Sequence, residues 1–212
     1  MLSINHLSLG TTDPDAAAAF YRGPLGLDDR IRAHADREPS SGFRGFTLGL
    51  DVPEPEHVDR LVAAAIDASA ESLKPAKRQF WGGYSGVIRT PDGTVVKIAT
   101  SDQKNPGTSL GEGSTAIERI VLLLGVGHVG RARDFYVAAG LAVAKAYGSR
   151  YVEFEPGNGA ITLGLYKRPG LAKEFGVDPE GNGSHRLIIA SNDASLTDPD
   201  GFTWQGSRHA SS

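Results

Sequence analysis

The sequence predicts an α+β protein built as two related halves, and three observations carry that reading. A short apolar strand pattern, a glycine, a helix with a Phe-Tyr pair and then Gly-Leu occur twice, with the same spacing from Gly10 to Phe20 as from Gly125 to Phe135. After each helix come short alternating apolar segments separated by turn-forming residues, the pattern of antiparallel strands. The composition agrees: 212 residues, 40% hydrophobic and 22% charged, with 27 Gly and 12 Pro, make a chain long enough for a sizeable core and rich in turns.

Taken in order, a first strand is expected over Ile4 to Leu9 and a helix over Asp13 to Arg22. Asp13 is a good N-cap, Pro14 sits where a missing N–H costs nothing, and Gly23-Pro24 ends the helix. Gly26-Leu27 then leads to a second strand. A strand over Gly42 to Leu50 precedes a helix after Pro55, in which Val58, Leu61, Val62, Ala65 and Ile66 share one face, while Glu54 and Glu56 complement its positive end. Strands follow over Glu71 to Lys74, Gly83 to Arg89 and Thr94 to Ala99, with Pro91-Asp92-Gly93 turning the last two into a hairpin. The second half repeats the scheme with Ile120 to Leu124, a helix over His128 to Ala139, and strands over Leu141 to Ala146, Arg150 to Glu155, Ala160 to Tyr166 and His185 to Ala190. Asp198-Pro199-Asp200-Gly201 introduces a last strand over Phe202 to Gln205. The polar, turn-rich stretch from Ser101 to Ser114 reads as a connection. The expected organisation is a half over residues 1–105, a linker over 106–116, an abbreviated second half over 117–207 and a tail over 208–212.

Charge and composition narrow the function. A net charge of -3 and a pI near 6.1 give no basic field to gather nucleic acid or an anionic membrane. No apolar run approaches the roughly 18 residues of a membrane span, and the start of the chain lacks the basic and apolar regions of a signal peptide. Without cysteine there is no disulfide, thiolate metal site or cysteine nucleophile. The expectation is a cytoplasmic protein that binds a small molecule, with no nucleic-acid or membrane partner; a homodimer stays open.

Two stretches carry a resemblance. Asn5-His6-Leu7-Ser8-Leu9 followed by Asp13-Pro14 and Phe20-Tyr21, and Phe80-Trp81-Gly82-Gly83-Tyr84-Ser85-Gly86 followed by Thr90-Pro91-Asp92-Gly93, resemble the vicinal oxygen chelate superfamily of glyoxalases, bleomycin-resistance proteins and extradiol dioxygenases. The resemblance implies tandem modules of one strand, a helix and three more strands, paired into a curved sheet around a cleft. Gly42 to Thr100 and Ile117 to Lys167 match intact modules. The first module reads as shortened after Ala33 and the last as shortened between Ser191 and Asp198.

Metal-using members resemble one another in holding a divalent ion with two His and two Glu on inward-facing strand positions. Carried over residue by residue, His6 matches a first-strand ligand, and the same offset in the second half falls on Val121. The last-strand Glu falls on Lys97 and, in the second half, on Gln205. The other first-strand positions fall on Gly45 and near His185 or Arg186. An ammonium repels the ion that it would have to bind, so the reading is a protein without a metal. In the alternative, a divalent ion is held by His6, His185 and a carboxylate.

The remaining residues suggest a binding cleft. Phe80, Trp81, Tyr84 and Trp204 offer an apolar, stacking lining, with His6 and Gln205 as polar contacts and Lys97 to offset an anionic group. Asp92 and Asp200 are turn residues first, and no nucleophile system is visible around Ser85. The expected function is a glyoxalase/bleomycin-resistance-like protein that binds a small apolar or aromatic metabolite or drug. The alternatives are a metal-dependent lyase, isomerase or dioxygenase using His6, and a non-catalytic scaffold.

Overall fold

The computed structural model describes residues 2–80, 82–101, 117–192 and 195–206; Trp81, the expected linker and the expected tail lie outside the described residues. The first module is β1 (Ile4–Thr11), α1 (Pro14–Arg22) and β2 (Ile31–Ala35), followed by the short β3 (Ser40–Gly42). A complete module comes next: β4 (Phe46–Asp51), α2 (Pro55–Asp67), β5 (Glu71–Arg78), β6 (Tyr84–Arg89) and β7 (Val95–Thr100). A second complete module runs through β8 (Arg119–Val126), α3 (Val129–Ala138), β9 (Val143–Tyr147), β10 (Tyr151–Phe154) and β11 (Ile161–Lys167). Helix α4 (Arg168–Phe175) and β12 (Gly181–Gly183) separate it from a last module of β13 (Leu187–Ser191), β14 (Leu196–Thr197) and β15 (Thr203–Gly206).

Pairing shows what each shortened module has lost. In the complete modules the last strand lies parallel beside the first, β7 against β4 and β11 against β8. In the first module β2 takes that place, with Leu7 opposite Ile31 in parallel, so β2 is the module's last strand. The missing pair therefore falls between α1 and β2, not after Ala33 as the sequence suggested. The last module keeps its first and last strands in parallel, β13 against β15, and lacks the helix between them among the described residues.

First strands pair antiparallel across the halves, β4 with β8 and β1 with β13. A single register contact, Ile4 opposite Ile161, joins the two sets into one 13-stranded sheet. Helices α1, α2 and α3 cover one face. Leu7, Leu9, Leu48, Leu50, Ile98 and Leu122, all fully buried, supply the strand side of that core. Strand alternation makes this partition, because every second side chain points to the helices.

Local causes are visible at the ends of elements. Asp13 accepts a hydrogen bond from the Ala16 N–H at 3.0 Å, capping α1. Gly93 closes the β6–β7 hairpin at φ 91°, a conformation that needs no Cβ. The repeated Phe-Tyr pair has a repeated use. The Tyr21 hydroxyl donates to Asp92 Oδ1 at 2.7 Å and the Tyr136 hydroxyl to Asp198 Oδ2 at 2.8 Å, so each helix is tied to the turn of the next module. Asp92 also accepts from the hydroxyls of Thr90 and Thr94, which commits it to the turn. In α2 the expected face is buried except for Ile66, which lies at its edge and is 42% exposed.

Helix α4 has no counterpart among the elements expected from sequence. It lies on the sheet face opposite α1–α3. Leu171, Ala172 and Phe175 form a second buried cluster there with Phe43, Val87 and Val95. Gly176 ends the helix in the left-handed region at φ 76°.

Candidate functional site

The face that receives α4 is the inner face of the two complete modules. Along it the pairing aligns one residue per strand: Lys97 on β7 opposite Gly49 on β4, Gly49 opposite Val121 on β8, and Val121 opposite Thr162 on β11. Beside this row lies a cavity of about 340 Å³. Gly49 and Val121 line its floor, α4 closes one side through Glu174 and Phe175, and Tyr151 and Tyr166 form an aromatic wall on the other.

The charges around the cavity are paired with one another. Lys97 Nζ lies 2.7 Å from Glu174 Oε1 and 5.9 Å from the centre of the Phe175 ring. Lys74 Nζ donates to the Lys173 carbonyl at 3.3 Å and to the Glu174 carbonyl at 2.5 Å, satisfying the free end of α4. Across the floor, Arg119 Nε meets Asp51 Oδ2 at 2.8 Å and its Nη1 meets Glu153 Oε1 at 3.2 Å. The Tyr151 hydroxyl donates to Glu153 Oε2 at 2.6 Å, and Lys145 Nζ lies 3.5 Å from Oε1. Burial works against the Glu153 carboxylate, yet the Tyr151 hydroxyl, Arg119 and Lys145 together hold it below the ordinary carboxylate range. Burial and the adjoining Glu153 push the Tyr151 phenol up, so it stays a donor. The hydrogen bond from Lys97 keeps the Glu174 carboxyl low.

In the second pair of modules the equivalent face borders a wider and more open cavity of about 790 Å³, which His6 lines together with Arg22, Asp28, Asp29, Arg30 and Arg32. There His6 lies opposite Ala190 and Ala190 opposite Gln205, and the β1–β2 register brings Arg30 alongside His6. Burial and the nearby Arg32 lower the His6 pKa, with Asp29 partly offsetting them.

Of the residues proposed from sequence, Lys97 lines the cavity between the complete modules, His6 lines the other cavity, and Gln205 lies on the face that His6 shares. Three do not reach either inner face. Trp204 is buried in the main core and donates through Nε1 to the Tyr136 hydroxyl at 3.2 Å. Tyr84 shares the helix-facing side of β6 with Gly86 and donates to Asp59 of α2 at 2.8 Å. Phe80 is fully exposed at the tip of the β5–β6 hairpin. His185 is not near His6. Its Nδ1 lies 2.6 Å from the Arg44 carbonyl, its Nε2 lies 3.1 Å from the Asp200 carbonyl, and its ring stacks on Phe202. Sequence reasoning did not assign Asp51, Arg119, Tyr151, Tyr166, Glu174 or Phe175 to a site. A period-two signal existed for two of them, since Asp51 and Arg119 are each two residues from a floor residue and so share its face.

No protein-family model and no curated protein matches this sequence. Solved structures do match. Glyoxalase I from Zea mays has a TM-score of 0.62 at 14% identity, covering 96% of this chain and 91% of that one. A candidate dioxygenase from Bacillus subtilis has a TM-score of 0.55 at 15% identity, covering 90% of this chain and 70% of that one. The chain has the vicinal oxygen chelate fold.

Within a vicinal oxygen chelate fold the question is whether the inward positions fit a divalent ion, and the observed register corrects two of them. Gly49, not Gly45, is opposite both Val121 and Lys97, and Ala190, not His185, is opposite both His6 and Gln205. One row then reads Lys97, Gly49, Val121, Thr162 and the other Arg30, His6, Ala190, Gln205. Neither fits a divalent ion, because one imidazole is the only strong ligand in the two rows and each row ends in a cation. Among the described residues no three His, Asp or Glu side chains come together as a metal site. None of their helices is long and apolar enough to cross a membrane.

Proposed function

We propose that this protein binds a small apolar or aromatic molecule in the cavity between its two complete modules, without a metal. The observation that carries the proposal is the pairing of Lys97 with Glu174 beside a cavity walled by Tyr151, Tyr166 and Phe175. Aromatic side chains give large contact area at low entropic cost, and a cavity of this size is at the lower end of the range for small-molecule sites. Binding needs only this shape. Activating a substrate would need an electrophile or a free acid or base, and the carboxylates here are engaged by Arg119, Lys145 and Lys97.

The experiment is a thermal-shift screen of the full chain against diverse aromatic compounds. A ligand at a hundred times its dissociation constant adds about 2.7 kcal/mol, which for a chain of this size raises the melting temperature by roughly 5–10 °C. At least one compound giving such a shift, lost when Tyr166→Ala removes part of the wall, supports the proposal. The absence of any stabiliser favours a non-catalytic scaffold instead.

A further inference from the structure

Helix α4 cuts the space between the two complete modules down to what is left beside Phe175, and the walls of that remainder define what fits. Resting on the reading of this cavity as a ligand site, we infer that its ligand is an uncharged, flat aromatic of two rings, and that Phe175 is the residue that sets this limit.

Size comes first. A sealed cavity of roughly 150 Å³ holds one benzene, and the about 340 Å³ of this open cleft matches two rings. Shape follows from the walls. The Tyr151 ring stacks on Tyr147 at 6.0 Å with 27° between planes, and meets Tyr166 edge-on at 5.8 Å. Tyr147 thus covers one face of Tyr151 from outside the cavity, and a flat ring packs against what Tyr151 and Tyr166 turn inward. Charge is decided by the lining itself. The charges form two separate groups, Lys97 with Glu174 and Arg119 with Asp51 and Glu153, the latter also met by Lys145, so a charged ligand has to compete with a pair already made. A neutral ligand leaves every pair intact.

Phe175 holds its position because α4 is anchored along its whole length. Leu171, Ala172 and Phe175 are at most 1% exposed. Arg168 at the other end donates to the Pro179 carbonyl at 2.9 Å and to the Phe43 carbonyl at 2.7 Å. The helix is thus a fixed wall and not a lid, and because Phe175 is packed behind the cavity's lining, its bulk sets how far the space extends toward the helix.

The test measures dissociation constants of four fluorescent probes with the full chain: naphthol, naphthoate, naphthylmethylammonium and anthracenemethanol. Naphthol is expected to bind at least tenfold more tightly than either charged analogue and than the three-ring probe. In Phe175→Ala, and in the milder Phe175→Leu should the first fail to fold, the preference for naphthol over anthracenemethanol should fall at least tenfold. Charged analogues that match naphthol, or a ring-size preference unchanged in the folded variant, overturn this inference and leave the cavity as a binding site. Binding by none of the four removes the cavity reading as well.

Discussion

The Lys97–Glu174 pair is the ion pair among the contacts that hold α4 on the sheet, and its strength can be measured. Lys97→Met keeps the stem that lies on the sheet and removes the ammonium; Glu174→Gln keeps the shape and removes the charge. The atoms are 2.7 Å apart, with the lysine side chain 20% and the glutamate 45% exposed. Coulomb attraction of two unit charges near 4 Å is about 4 kcal/mol at an effective dielectric of 20. Desolvation and the ordering of two long side chains cancel most of it, and measured partly exposed pairs fall at about 0.2–1 kcal/mol. Because the lysine is mostly buried, a coupling near the upper end, about 1 kcal/mol, is expected from a double-mutant cycle by urea denaturation at pH 7. The lysine lowers the Glu174 pKa below its unfolded value. The coupling is therefore fully present above about pH 4.3 and is lost as the pH falls through the lower folded-state value. A coupling below about 0.3 kcal/mol at pH 7, or one equally large at pH 2, refutes the argument that this pair pins the helix.

Two further outcomes follow from the repeat. Tyr136→Phe should cost about 2–3 kcal/mol, because it leaves buried Asp198 Oδ2 and Trp204 Nε1 without their partner. Tyr21→Phe should cost about 1 kcal/mol or less, since Asp92 keeps both threonine hydroxyls; equal losses in thermal or urea unfolding would contradict this accounting of partners. Residues 1–105 expressed alone should aggregate or stay unfolded, because β1 loses β13 and β4 loses β8, exposing two long apolar edges. A monomeric, cooperatively unfolding product by analytical ultracentrifugation and circular dichroism would reject that dependence.

What was legible in the sequence was written in local chemistry. The Asp13-Pro14 start of α1, the Pro55 start of α2 and the Pro-Asp-Gly hairpin each need only neighbouring residues, and each formed where expected. The module pattern was legible too, but which strands the first module lacks was not, because a parallel partner is chosen by the sheet and not by the chain beside it. Helix α4 had its signals, Pro169 at the start and Gly176 at the end, yet it follows β11 without a break. The strand pattern before it hides an eight-residue helix.

The candidate site was the least legible part. Trp204 and Gln205 are adjacent strand residues and so cannot both face one cleft; the sheet turns Gln205 out and buries Trp204 beneath Tyr136. The cavity itself is assembled from β4, β7, β8, β10, β11 and α4. No window of sequence contains it. Lys97 was identified because the turn before it fixes its place on β7, whereas its partner Glu174 is 77 residues away.

The most direct test of a metal-free cleft is the metal content of the full chain purified without chelator, measured by plasma mass spectrometry. A value well below one transition-metal ion per chain, unchanged in Lys97→Met, is the predicted result. One ion per chain, released by chelator together with loss of aromatic-ligand binding, would contradict it.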